Sequence, residues 1–178
     1  MADSEVKFLD AFGAWLRSLG DDAQQLGAVL GSDEVAPAAR QAAAGGLNYL
    51  FKSLDLIPDG IDDIGYLDDA FVLRVAAAQA VNAGATGHSG LARLAEEDAL
   101  VSEFLGPSYA RLEKYVSGLR TGAARGRTVQ EILGKEKLLE EFLNDVKSFA
   151  ASYQAPSFSR EPKSLVKLRA FFDAKLPR

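Results

Sequence analysis

Thr128-Val129-Gln130-Glu131-Ile132-Leu133-Gly134-Lys135-Glu136-Lys137-Leu138-Leu139-Glu140-Glu141-Phe142-Leu143-Asn144-Asp145-Val146-Lys147-Ser148-Phe149-Ala150-Ala151-Ser152-Tyr153 is the stretch that decides the fold class. Its first four residues form a capping-box pattern, in which the Thr and Glu side chains satisfy orphan backbone amides at a helix start. Behind them Ile132, Leu139, Phe142, Val146, Phe149 and Tyr153 recur at helical spacing, so the stretch predicts one amphipathic helix. Composition agrees. The chain holds 29 Ala and 24 Leu against 11 Val, 4 Ile and 3 Thr. Helices favour the first pair and strands the β-branched three.

The same spacing runs outward in both directions. Val6, Leu9, Phe12, Leu16 and Leu19 mark a first helix with Ser4 as N-cap, and a short second one after Asp21-Asp22 buries Leu26, Val29 and Leu30. Pro37 suits the first turn of a third, with Ala39, Ala43, Leu47, Leu50 and Leu54 on one face. A fourth runs from about Tyr66 to Asn82 with Leu67, Phe71, Ala78 and Val81 inward. Ser89 caps a fifth bearing Leu91, Leu94, Val101, Phe104 and Leu105. Pro107 opens a sixth with Tyr109, Leu112, Val116 and Leu119, and Leu165, Leu168 and Phe172 mark the last. The expectation is an all-α chain: one domain over residues 1–178, a compact bundle of seven or eight helices with no sheet.

Several function classes are excluded at this level. At 178 residues a self-sufficient core is available, folding burying roughly 70% of the unfolded surface. The absence of Cys removes disulfide scaffolds, Cys-ligated zinc, iron–sulfur clusters and thiol catalysis. A net charge of −5 argues against nucleic acid as a partner. The first residues are acidic with no apolar core behind them, so no secretory signal is expected. The longest uncharged stretch, Val75 to Ala92, is broken by Gln79, Asn82, His88 and several glycines, and a cytoplasmic protein is expected. Charge is uneven: residues 1–70 hold 4 basic and 13 acidic side chains, residues 71–178 hold 16 and 12. The two halves are expected to complement each other within one fold.

The chemistry-bearing segment is Leu54-Asp55-Leu56-Ile57-Pro58-Asp59-Gly60-Ile61-Asp62-Asp63-Ile64-Gly65-Tyr66-Leu67-Asp68-Asp69. Six carboxylates fall between Asp55 and Asp69, interleaved with apolar residues. Such a segment must fold with its apolar side chains inward while the carboxylates cap backbone, find cations or reach water. Pro58 disfavours helix at Ile57, so the third helix ends before it. Asp55 suits an Asx-type turn that accepts amides just ahead of it. Gly60 and Gly65 are expected to take backbone angles closed to other residues. Asp68 and Asp69 belong in the first turn of the fourth helix, where the helix dipole favours negative charge.

Two blocks of this segment, Asp55-Leu56-Ile57-Pro58-Asp59 and Gly65-Tyr66-Leu67-Asp68-Asp69, resemble the YkvA-like or DUF1232 family. Leu47-Asn48-Tyr49-Leu50 matches the Leu/Tyr-rich helix that precedes them there. The resemblance covers about residues 42–82 and implies a short helical module without an established biochemical function. It makes Asp55, Pro58, Asp59, Gly65, Asp68 and Asp69 a structural signature. The sequence departs from the family pattern at Ser53, where a Pro is common, and at Gly60-Ile61-Asp62-Asp63, where an Ile-Pro pair is common. It also lacks the membrane-spanning stretches of many relatives.

Three functional readings stand side by side. The leading one is a non-enzymatic interaction or scaffold module with an unknown protein partner, needing no cofactor. A second is a Mg²⁺-, Mn²⁺- or Ca²⁺-dependent enzyme or sensor using Asp55, Asp59, Asp68 and Asp69 as oxygen ligands. Known templates do not fit it. An EF-hand begun at Asp55 puts Gly60 correctly sixth but Ile57 third and Tyr66 twelfth, and Asp62-Asp63 lacks the third Asp of an Asp-Asp-x-x-Asp motif. Weak or absent metal binding is therefore the expectation. The third is a membrane-surface protein, using Lys163, Lys167, Arg169, Lys175 and Arg178 on the last helix with Leu165, Leu168 and Phe172 dipping into lipid. His88-Ser89 lacks the last Gly of a hydrolase elbow. Gly118, Gly122 and Gly126 lie beside three Arg without a phosphate-loop Lys, and read as a close helix contact or a frayed helix end.

Overall fold

The computed structural model describes residues 1–53, 55–61 and 63–178. Among them are eight α-helices: α1 (Asp3–Leu30), α2 (Pro37–Tyr49), α3 (Leu67–Asn82), α4 (Ser89–Leu105), α5 (Tyr109–Gly118), α6 (Val129–Gly134), α7 (Glu136–Ser152) and α8 (Pro162–Lys175). Among the described residues the chain is all-α apart from one short ladder. Leu54 and Asp62, one assigned to the third helix and one to the carboxylate set, lie outside the described residues.

α3 is the axis of the fold, packed most extensively on α2 and α4. Twelve of its residues are buried, Leu67 through Ala77 without a break and then Ala80. A helix surrounded by other helices needs no polar face. The expected single stripe is accordingly corrected: Leu67 and Phe71 are buried, but Ala78 and Val81 are the less buried residues, while Val72, Leu73, Val75 and Ala76 fill the core. α2 comes unusually close, because Gly46 faces Ala76; a Cβ at Gly46 would lie 2.4 Å from the Ala76 Cβ.

α1 is a single 28-residue helix rather than two. The Gly20-Asp21-Asp22 sequence looks like a break, yet each of the two residues that suggest one has a packing role. Gly20 lies against the Ala150 backbone of α7, at 3.3 Å from where its Cβ would be. Asp22 is fully buried and accepts hydrogen bonds from Arg74 (3.0 Å), Arg93 (2.6 Å) and Ser18 (2.8 Å). Arg74, also fully buried, reaches Glu97 at 2.8 Å and stacks 4.0 Å over the Trp15 ring. This cluster ties α1, α3 and α4 together.

Two further expectations are corrected. The 128–153 run is two helices, divided at Lys135, whose extended backbone separates α6 from α7. Its capping box is present as read: the Thr128 hydroxyl accepts from the Glu131 amide, and the Glu131 carboxylate accepts from the Thr128 amide. The expectation of no sheet fails by one two-residue ladder, β1 (Ala123–Ala124) antiparallel to β2 (Arg127–Thr128). Arg125 and Gly126 turn it with φ of 51° and 75°, the two positive values a tight hairpin requires. This hairpin is what the Gly122–Gly126 spacing encodes. As expected, Leu165, Leu168 and Phe172 mark the last helix, α8, where they are buried in the core with Phe172 stacked on Phe71. No described helix is long and apolar enough to cross a membrane.

Candidate metal centre

α2 ends at Tyr49, nine residues before Pro58, and the chain crosses an irregular elbow before α3 begins. The elbow returns Asp55 to the N-terminus of α3, where Asp68 and Asp69 occupy the first turn. One carboxylate oxygen from each of Asp55, Asp68 and Asp69 lies within 4.8 Å of the other two. Asp68 is wholly buried and Asp69 is 3% exposed. Asp59 stays outside that group at the surface, close enough for its charge to raise the other three carboxyls.

One oxygen of Asp68 is a structural pin. It accepts from the Tyr49 hydroxyl at 2.5 Å and from the Ile57 amide at 3.2 Å, while the Tyr49 oxygen accepts the Leu56 amide at 2.7 Å. The Asx turn expected at Asp55 is thereby corrected. The amides of Leu56 and Ile57 go to Tyr49 and Asp68, and Asp55 Oδ1 has no hydrogen-bond partner. Asp68 Oδ1 and Asp69 Oδ2 have none either. Each of the three converging carboxylates thus carries one buried oxygen without a hydrogen-bond partner, and two of the side chains, Asp68 and Asp69, are buried.

The electrostatics are correspondingly unfavourable for empty, ionised carboxylates. Burial and then the Asp68 and Asp59 charges push Asp55 up to about 7, with Lys52 acting weakly the other way. Burial raises Asp68, and burial with the charges of Asp68, Asp59 and Asp55 raises Asp69 further. Two ionised carboxylates at this spacing repel by about 3.5 kcal/mol at an effective dielectric near 20. Among the described residues no Lys or Arg forms an ion pair with any of them. The α3 dipole offers only about 0.3–1 kcal/mol per charge. Either protons or a cation must settle this cluster.

The glycine reading also changes. Neither Gly60 nor Gly65 has positive φ; the left-handed positions are Asp63 (φ 73°) and Tyr66 (φ 67°). Gly65 is required by close approach instead, since a Cβ there would lie 2.2 Å from the Asp59 carbonyl oxygen, whereas a Cβ on Gly60 meets nothing. Pro58 is exposed, and its carbonyl accepts the Ile61 amide at 3.1 Å. Tyr49 and Tyr66 were not singled out as site residues from sequence. The Tyr49 signal was present in the helix preceding the elbow, but its bond to Asp68 spans 19 positions.

Fold and site define an all-α protein with a carboxylate-lined elbow between two packed helices. The stretch of residues 39–74 matches the family model DUF1232, described as a protein of unknown function. It runs from Ala39 in α2 to Arg74 in α3 and contains every residue of the centre. The boundaries expected from sequence, 42–82, ran further into α3. No curated protein and no solved structure matches the chain.

Proposed function

We propose that the chain is a divalent-cation-binding helical module, in which an ion held by Asp55, Asp68 and Asp69 closes the elbow and fixes α2 against α3. The observation that carries this reading is the convergence of three carboxylates, two of them buried, each with one oxygen that has no hydrogen-bond partner. Hard cations take such ligands: opposite oxygens around Ca²⁺ stand about 4.6–5.2 Å apart, and around Mg²⁺ about 4.0–4.2 Å. The spacing here suits either with little movement. Because Asp68 also pins the Tyr49 hydroxyl and the Ile57 amide, an ion on its free oxygen reports directly to the elbow backbone. The role is binding and organisation of a surface for a protein partner rather than turnover. Burial of Asp68 and Asp69 supports this, since it leaves little of an ion's coordination sphere open to a substrate.

Titration calorimetry of the full chain with Mg²⁺, Mn²⁺ and Ca²⁺ tests it. A single saturable site for at least one ion is expected, absent in Asp69→Asn. The metal-free melt of that variant should be no lower than wild type, because Asn removes the cost of keeping a buried carboxyl either protonated or charged there. No heat and no thermal shift with any of the three ions overturns the proposal.

A further inference from the structure

A second cleft, of about 320 Å³, opens beside α5 and the end of α8. Its lining includes Lys52, Arg111, Lys114 and Arg178 and no Asp or Glu, in a protein whose net charge is −5. Tyr115, Leu119 and Pro177 supply an apolar wall. Arg111 is committed elsewhere: it pairs with the Asp173 carboxylate at 3.2 Å and donates to the backbone carbonyls of Asp173 (3.0 Å), Pro177 (3.2 Å) and Leu176. Lys52 lies 5.6 Å over the Tyr115 ring, its ammonium 3.4 Å from the phenol oxygen. Among the described residues neither Lys52 nor Lys114 has an acidic partner within 4.0 Å.

Cations gathered around a cleft repel one another unless an anion settles them. Two ammonium groups suit a dianion better than a single carboxylate. The Tyr115, Leu119 and Pro177 wall suits an apolar body attached to it, and the volume lies at the small end of ligand cavities, which begin at about 300 Å³. We infer that this cleft binds a phosphomonoester carrying a compact apolar group, with Lys52 and Lys114 on the phosphate and Tyr115 against the apolar part. The inference needs no ion at the metal centre, although Lys52 and Tyr115 lie within electrostatic reach of Asp55.

Calorimetry of the full chain in chelator, with phenyl phosphate as probe, tests it, and vesicles containing phosphatidic acid distinguish a lipid headgroup from a soluble ester. Saturable binding of phenyl phosphate, tighter than inorganic phosphate, is expected. So is a loss of roughly tenfold in Lys114→Gln and in Lys52→Gln, against no change in Lys137→Gln on the exposed side of α7. Binding to the vesicles alone, lost in Lys114→Gln, supports the same chemistry with a membrane lipid as its source. Binding to neither probe overturns the inference, as does binding that Lys114→Gln and Lys52→Gln leave intact.

Discussion

Tyr49→Phe removes one oxygen and leaves the ring in place, so it isolates the pin that joins α2 to the elbow. The hydroxyl donates to Asp68 at 2.5 Å and accepts the Leu56 amide at 2.7 Å, all in buried surroundings. Losing a bond to a charged acceptor costs about 1.5–3 kcal/mol, and leaving a buried amide unpaired costs about 1–3 kcal/mol. Because one substitution removes both, about 3–5 kcal/mol is expected, a large part of the 5–15 kcal/mol that holds a typical domain. Denaturant melts in chelator measure it, with an unchanged slope to show that the same surface is being exposed. Ion affinity should fall in the same variant, since the hydroxyl helps hold Asp68 ionised. A loss under about 1 kcal/mol would refute the pin, for then the Leu56 amide and Asp68 find other partners at little expense.

Two other outcomes follow from the same geometry. Gly65→Ala should destabilise by about 1–3 kcal/mol or more, because its methyl meets the Asp59 carbonyl, while Gly60→Ala should change the melt by less than about 0.5 kcal/mol; equal effects would contradict the close-approach account. Metal-free stability should fall as pH rises from about 4 to about 7. The folded chain keeps protons on Asp55, Asp68 and Asp69 that the unfolded chain has already released, and Asp98, raised to about 6 by burial, acts in the same direction. A saturating ion holds the cluster ionised and should flatten that slope in melts at about pH 5 and about pH 7.5; a slope identical with and without ion would contradict it.

Features set by near neighbours were legible in the amino-acid sequence. The Thr128–Glu131 capping box spans three positions, and its two reciprocal bonds form as the pattern demands. The elbow was legible as a segment, because six acids among isoleucines and leucines cannot be either loop or core. Its internal bonding was not. Asp55 looked like a turn former because Asx turns are local, but Tyr49 and Asp68 take the amides that such a turn needs. Asp22 looked like a helix start because the partners that bury it, Arg74 and Arg93, are 52 and 71 positions away. The stripe of α3 misled for a related reason: a helix enclosed on most sides carries no periodic signal. Convergence of Asp55 on Asp68 and Asp69 depends on the close α2–α3 approach at Gly46, which no spacing within the elbow announces.

A crystal of the full chain soaked in Mn²⁺ and measured at the manganese absorption edge tests the central claim most directly. The account predicts one strong anomalous peak at the elbow, with an oxygen of Asp55, Asp68 and Asp69 each about 2.0–2.4 Å away. The Tyr49–Asp68 bond should remain intact beside it. No peak among these carboxylates, with their oxygens instead paired to one another through shared protons, would contradict it.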